Sequence, residues 1–83
     1  MTRQLAVDYG RRGILVNAIA PGKVPTAPHD PNDASIEYYE MRTPFNRFGR
    51  PDEVAGAALF LASDLCSYMS GAILPVDGGW LAY

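Results

Sequence analysis

Eighty-three residues, 48% of them apolar and 19% charged, describe an ordinary globular chain with room for one small domain at most. A net charge of −2, with no basic cluster beyond Arg11-Arg12, gives nucleic-acid binding little support; no apolar run approaches the ~20 residues of a membrane span, and no signal-peptide pattern follows Met1. The single Cys66 can form no internal disulfide and, beside one His29, no metal cluster, so a reducing, cytoplasmic setting is the expectation.

Thr2–Tyr9 reads as a helix, because Met1, Leu5 and Tyr9 recur at i+4 and Ala6 widens the stripe. Gly10 and Gly13 are stop signals, and Arg11 and Arg12 suit a helix C-terminus. Ile14-Leu15-Val16 and Ala18-Ile19-Ala20 then make an apolar run without polar alternation, which fits a strand covered on both faces. Asn17 within it is expected to be a satisfied structural amide. Pro21 cannot donate to a sheet ladder, so the strand should stop there, and Gly22 lets the backbone turn or lie against something flat. Ligands of open α/β sheets bind outside the carboxyl ends of the strands, so Pro21-Gly22 is where a ligand would touch this chain.

Lys23–Asn32, with three prolines, reads as an irregular loop. Asn32-Asp33 is placed to cap a helix over Ala34–Arg42, with Ile36, Tyr39 and either Met41 or Tyr38 supplying apolar contacts, and Thr43-Pro44 ends it. Pro51, followed by Asp52 and Glu53, signals another helix start. Val54, Ala58, Leu61 and Ala62 line its expected buried face, broadened by Ala55 and Leu59. A polar turn through Ser67 and Ser70-Gly71 leads to a second strand, Ala72–Val76, stopped by Asp77-Gly78-Gly79. Two strands joined through a helix are expected to run parallel with a right-handed crossover. An isolated strand pair is rarely stable in water and a domain this small is marginal, so the chain reads as part of a domain.

Three stretches, in order, resemble the short-chain dehydrogenase/reductase family. VNAIAPGKVPT (Val16–Thr26) is similar to the family's penultimate strand and following loop, VN-x-[IV]-x-PG-x-[IV]-x-T. RFGRPDEVAGAALFLASD (Arg47–Asp64) and SGAILPVDGGW (Ser70–Trp80) are similar to its last helix and last strand. The resemblance covers nearly the whole chain but corresponds to the family's C-terminal portion. It implies an α/β fold: a C-terminal fragment of a Rossmann-like doubly wound parallel sheet, in the order helix, strand, lid helix, helix, strand. Residues 1–83 would be one partial domain, with 23–46 as the substrate-lid region. The resemblance also implies that Pro21, Gly22, Val24 and Thr26 bind NAD or NADP through a partial site. The Val24 backbone would hold the nicotinamide carboxamide, and the Thr26 hydroxyl would reach the carboxamide or the pyrophosphate. A small-molecule carbonyl or alcohol would be the substrate. The parent would be a homo-oligomer, with the first helix and the Trp80–Tyr83 tail near subunit contacts. Beside these stand plainer readings: Pro21-Gly22 merely ends a strand, the loop is a solvated connector, and Trp80 is buried in a core.

The chain departs from the family pattern where the chemistry would be. The family's proton-relay pair is Tyr-x-x-x-Lys. Lys23 is the only lysine, Ile19 stands four residues before it, and none of the five tyrosines has a lysine four residues on. Lys23 therefore reads as a solvated loop residue. No catalytic residue and no metal ligand is assigned. The glycine-rich dinucleotide fingerprint must follow a strand and open a helix, which neither Gly10/Gly13 nor Gly78-Gly79 does. His29 reads as a loop residue, Cys66 as a small buried or turn residue, and Arg47 and Arg50 as partners of acids or backbone carbonyls. Two accounts remain. The chain is part of an NAD(P)-dependent oxidoreductase, inactive alone, whether fragment, truncated product or misplaced start; or it is a non-catalytic interaction module pairing with full-length subunits.

Overall fold

A computed structural model describes residues 1–25 and 33–82. Helix α1 covers Thr2–Tyr9, as its spacing predicts. The α-helix ends at its C-cap, Gly10, which with φ −57° stays right-handed and leads into a 3₁₀ turn, Gly10–Arg12. Gly13 ends that turn, at φ 77°, a left-handed conformation that glycine adopts without a Cβ penalty. No residue of α1 is buried, although Leu5 and Ala6 are half-covered.

Strand β1 runs Ala18–Pro21 and pairs in parallel with β2, Ile73–Val76, Ala18 facing Ile73 and Pro21 facing Val76. The parallel pairing is as expected, but the limits of β1 are not. Residues 14–17 lie outside the strand, opposite the Ser70-Gly71 turn, with one backbone bond across, Gly71 N donating to Val16 O at 2.7 Å. Side chains supply the other bonds there: Val16 N donates to Ser70 Oγ at 3.0 Å. Asn17 Nδ2 donates to Met69 O at 3.0 Å, while its Oδ1 accepts from Ala72 N at 3.0 Å. Asn17 is the satisfied structural amide that the sequence suggested. At the other end the strand runs through Pro21 rather than stopping before it. The amides of Ala18 and Gly22 donate toward β2, so with a two-residue period the nitrogen of Pro21 faces away from the ladder and loses no bond.

Helix α2 spans Ala34–Arg42 and α3 spans Pro51–Leu61. Asp33 caps α2 by accepting from Ser35 N at 2.9 Å. Thr43 ends it, its hydroxyl donating to Tyr39 O at 2.7 Å. Within α2, Ile36 and Tyr39 are half-buried, whereas Tyr38 and Met41 are exposed. Helix α3 packs on both strands, but through Val54, Ala57 and Leu61. The expected contributors Ala55, Ala58, Leu59 and Ala62 are exposed, because α3 lies over a sheet of two strands and overhangs it. The expectation of a strand covered on both faces fails for the same reason: Ile14 and Leu15 are exposed and β1 is at most half-buried.

The accessible surface is 6360 Å², against about 4,850 Å² for a folded monomer of this mass. The radius of gyration is 15.6 Å, where a compact chain of this length would have about 12 Å. Among the described residues only Cys66 and Thr43 are buried. The α/β fold is therefore an open one, with elements in place and little enclosed core. No helix among the described residues is long and apolar enough to cross a membrane.

Candidate functional site at the carboxyl end of the sheet

Parallel strands end on the same side, so Pro21 and Val76 deliver their following segments, Gly22–Val24 and Asp77–Trp80, to one edge. The two segments touch. A Cβ on Gly22 would lie 2.9 Å from Asp77 Cα and Cβ, so only glycine allows this approach. Asp77 then organises its own turn, one carboxylate oxygen accepting from Gly79 N at 2.9 Å and the other from Leu81 N at 3.1 Å.

That turn seats the end of α2. A Cβ would stand 2.7 Å from Thr43 Cγ2 at Gly78 and 2.8 Å from Pro44 Cγ at Gly79, and Phe45 N donates to Gly78 O at 3.3 Å. Seating Thr43-Pro44 there carries the Tyr39 ring to 5.3 Å from the Trp80 ring. A cleft of about 330 Å³ lies here, its lining including Pro21, Gly22, Lys23, Tyr39, Trp80 and Leu81. Lys23 Nζ stands over the Tyr39 ring, 5.5 Å from its centroid, and the Arg42 guanidinium lies 5.1 Å from that of Trp80.

Behind the Lys23–Val24 backbone is a second, smaller hollow of about 100 Å³. Gly49 N donates to Lys23 O at 3.0 Å, and a Cβ on Gly49 would meet Val24 Cγ2 at 3.1 Å. Arg47 holds this contact in place. Its guanidinium bonds Glu53 through two nitrogens, at 2.8 and 2.9 Å, and donates to Phe48 O at 3.0 Å. Glu53 also accepts from Arg50 N at 2.9 Å. These bonds, Arg47's first and the Arg50 amide's second, lower the Glu53 carboxyl from 4.5 to about 2, and the same pair raises Arg47. Arg47 and Arg50 thus partner acids, as one of the sequence readings had it.

Of the four expected cofactor-binding residues, Pro21 and Gly22 wall the cleft, while Val24 turns into the smaller hollow. Thr26 lies outside the described residues, as do His29 and Tyr83. Sequence reasoning missed three things: Gly78-Gly79 as a seat rather than a mere stop, Gly49 as the clamp on Lys23, and Tyr39 with Trp80 on the cleft that Lys23 lines. Adjacent glycines after a strand were a signal for the first. No local pattern announces the other two, because the partners are distant in the chain.

Residues 1–81 match the family model described as enoyl-(acyl carrier protein) reductase. Among curated proteins, galactitol 2-dehydrogenase (L-tagatose-forming) of Cereibacter sphaeroides is 46% identical over 100% of this chain and 34% of its own length. Among solved structures, a short chain dehydrogenase from Bacillus anthracis is 38% identical with a TM-score of 0.86, over 100% of this chain and 33% of that one. A 4-hydroxyisoleucine dehydrogenase complexed with NADH is 28% identical with a TM-score of 0.87, over 99% of this chain and 34% of its own. The chain spans about a third of the length of the relatives it matches.

Proposed function

The chain belongs to the short-chain dehydrogenase/reductase family, and on that premise we propose that it forms the nicotinamide-side wall, substrate lid and oligomer edge of an NAD(P)-dependent oxidoreductase. The observation that carries this reading is the meeting of Pro21-Gly22 and Tyr39–Trp80 on one cleft at the carboxyl end of parallel strands. Gly22, on the lining of this cleft, keeps the strand end free of side chain. Residues 23–46 act as the lid, and Thr26 joins Pro21, Gly22 and Val24 in holding NAD or NADP.

When bound, the nicotinamide supplies or accepts a hydride at a secondary alcohol or ketone carbon. This chain's residues do the positioning. The Val24 backbone, next to the Lys23 carbonyl that Gly49 N clamps, orients one ring face. Tyr39 and Trp80 exclude water above the cleft, which hydride transfer requires along with close alignment. Nothing in the chain supplies the family's paired tyrosine and lysine, so the proton step falls to residues outside it and the 83-residue chain alone is inactive. The setting is the cytoplasm, and the parent assembles as a homo-oligomer.

Backbone amide signals of the chain, followed during titration with NADH and with NADPH, test the reading. Shifts centred on Gly22, Lys23 and Val24 are expected; a folded chain with no response there overturns it.

A second reading draws on α1, which buries no residue and leaves Val7 75% exposed. The chain would then be an interaction module docking on a full-length subunit through α1 and the tail that begins at Trp80. A stable complex with a purified full-length short-chain dehydrogenase, lost on Trp80→Ala, is its expected result.

A further inference from the structure

We propose that the cleft lined by Lys23, Tyr39 and Trp80 takes a hydroxylated carboxylate, with the Lys23 ammonium as the group that binds the carboxylate. The inference rests on the reading of this cleft as the reacting end of the sheet, and it names the chemical class of what enters.

Three features converge. First, Lys23 is a cation on the cleft wall, and none of the ion pairs among the described residues involves it. Its ammonium stands over the face of Tyr39 instead, an arrangement that places the charge without neutralising it. Second, the one acid among the described residues that line the cleft, Asp77, has both carboxylate oxygens accepting from backbone amides of its turn. It makes no ion pair with Lys23. Third, the aromatic rings of Tyr39 and Trp80, 5.3 Å apart, line the same cleft. Such faces cover the C–H surface of a carbon skeleton while leaving its hydroxyls at the edges to hydrogen-bond. The Arg42 guanidinium on Trp80 adds positive potential to this side of the molecule. An anion with a hydroxylated carbon chain satisfies all three; a neutral polyol satisfies only the third.

Lysine is suited to this as a point charge on a flexible stem, which can follow a carboxylate into the cleft. Lys23 is thus assigned to substrate specificity, a role separate from the family's proton relay.

Trp80 is the sole tryptophan and lies in the cleft, so its fluorescence reports occupancy directly. The chain is titrated with sodium gluconate and with glucitol, which differ at one end in a carboxylate against a hydroxymethyl group. Gluconate is expected to bind about fivefold more tightly, the upper end of what a solvent-accessible ion pair contributes. Added sodium chloride should erase the difference. Lys23→Met should bring the two affinities together, and Lys23→Arg should keep them apart. Equal affinities in the unmodified chain, discrimination that survives Lys23→Met, or no response of Trp80 to gluconate would each overturn the proposal. NADH binding is read separately, at the Gly22–Val24 amides. A response there without gluconate preference defeats only the carboxylate site, and gluconate preference without that response defeats only the nicotinamide reading.

Discussion

Gly79 and Gly56 show how differently one residue type is used in this chain. Gly79 sits at φ 94° with Pro44 Cγ 2.8 Å from where its Cβ would be; Gly56 lies within α3 with nothing within 4 Å. Gly79→Ala should therefore destabilise by about 1–3 kcal/mol, through strain and overpacking against Pro44. Gly56→Ala should stabilise by about 0.5–1 kcal/mol, because it only removes a helix-interior glycine. Urea unfolding followed by circular dichroism measures both. Asn17 is a third kind of residue, a side chain standing in for a strand. Asn17→Ala strands Met69 O and Ala72 N together, and a loss of about 1–3 kcal/mol is expected in the same experiment.

At the scale of elements, the segment from Arg47 into the first turn of α3 depends on one carboxylate. Glu53 joins Arg47, the Arg50 amide and the α3 N-terminus, and folding lowers its pKa from 4.5 to about 2. A depressed folded-state pKa contributes stability that is fully present above 4.5 and is lost as pH falls through about 2. Melting midpoints should accordingly fall across that acid window, and Glu53→Gln should flatten that dependence. A Glu53→Gln chain with an unchanged acid profile would remove Glu53 from the account. The helices themselves were legible in the sequence, since Pro51-Asp52-Glu53 and Asp33 are local signals that act within a turn. So was the parallel strand pair. The buried face of α3 was not legible, because Ala55 and Leu59 are apolar yet exposed and Ala58 borders an open hollow beside Ile19. The clamp of Gly49 on Lys23 joins residues 26 positions apart, and periodicity carries no trace of it.

For the whole molecule, the sheet has two unlike edges. Val76 O accepts from Gly22 N, so residues 74 and 76 of β2 turn their amides to β1, and Pro75, lacking one, faces outward. A proline there blunts the outer edge of β2. The outer edge of β1 meets its own proline only at the strand's last residue, Pro21, which leaves the Ile19 amide unblocked, and the exposed Ile14 and Leu15 precede it. Further strands would add beside β1. Hydrogen exchange should thus find the Ile19 amide much less protected than that of Ala20, which faces β2; equal protection would mean that the β1 edge is already covered. The same openness explains a surface of 6360 Å², larger than a self-contained chain of this mass presents.

The central claim is that the chain holds and orients but does not complete the chemistry. Oxidation of NADPH or NADH by the purified 83-residue chain, with small ketones and keto acids as acceptors, tests it most directly. The account predicts no turnover above the buffer rate, even where the Gly22–Val24 amides report bound cofactor. Sustained ketone reduction by the pure chain would contradict it, and would mean that a proton donor other than the family's tyrosine works at this cleft.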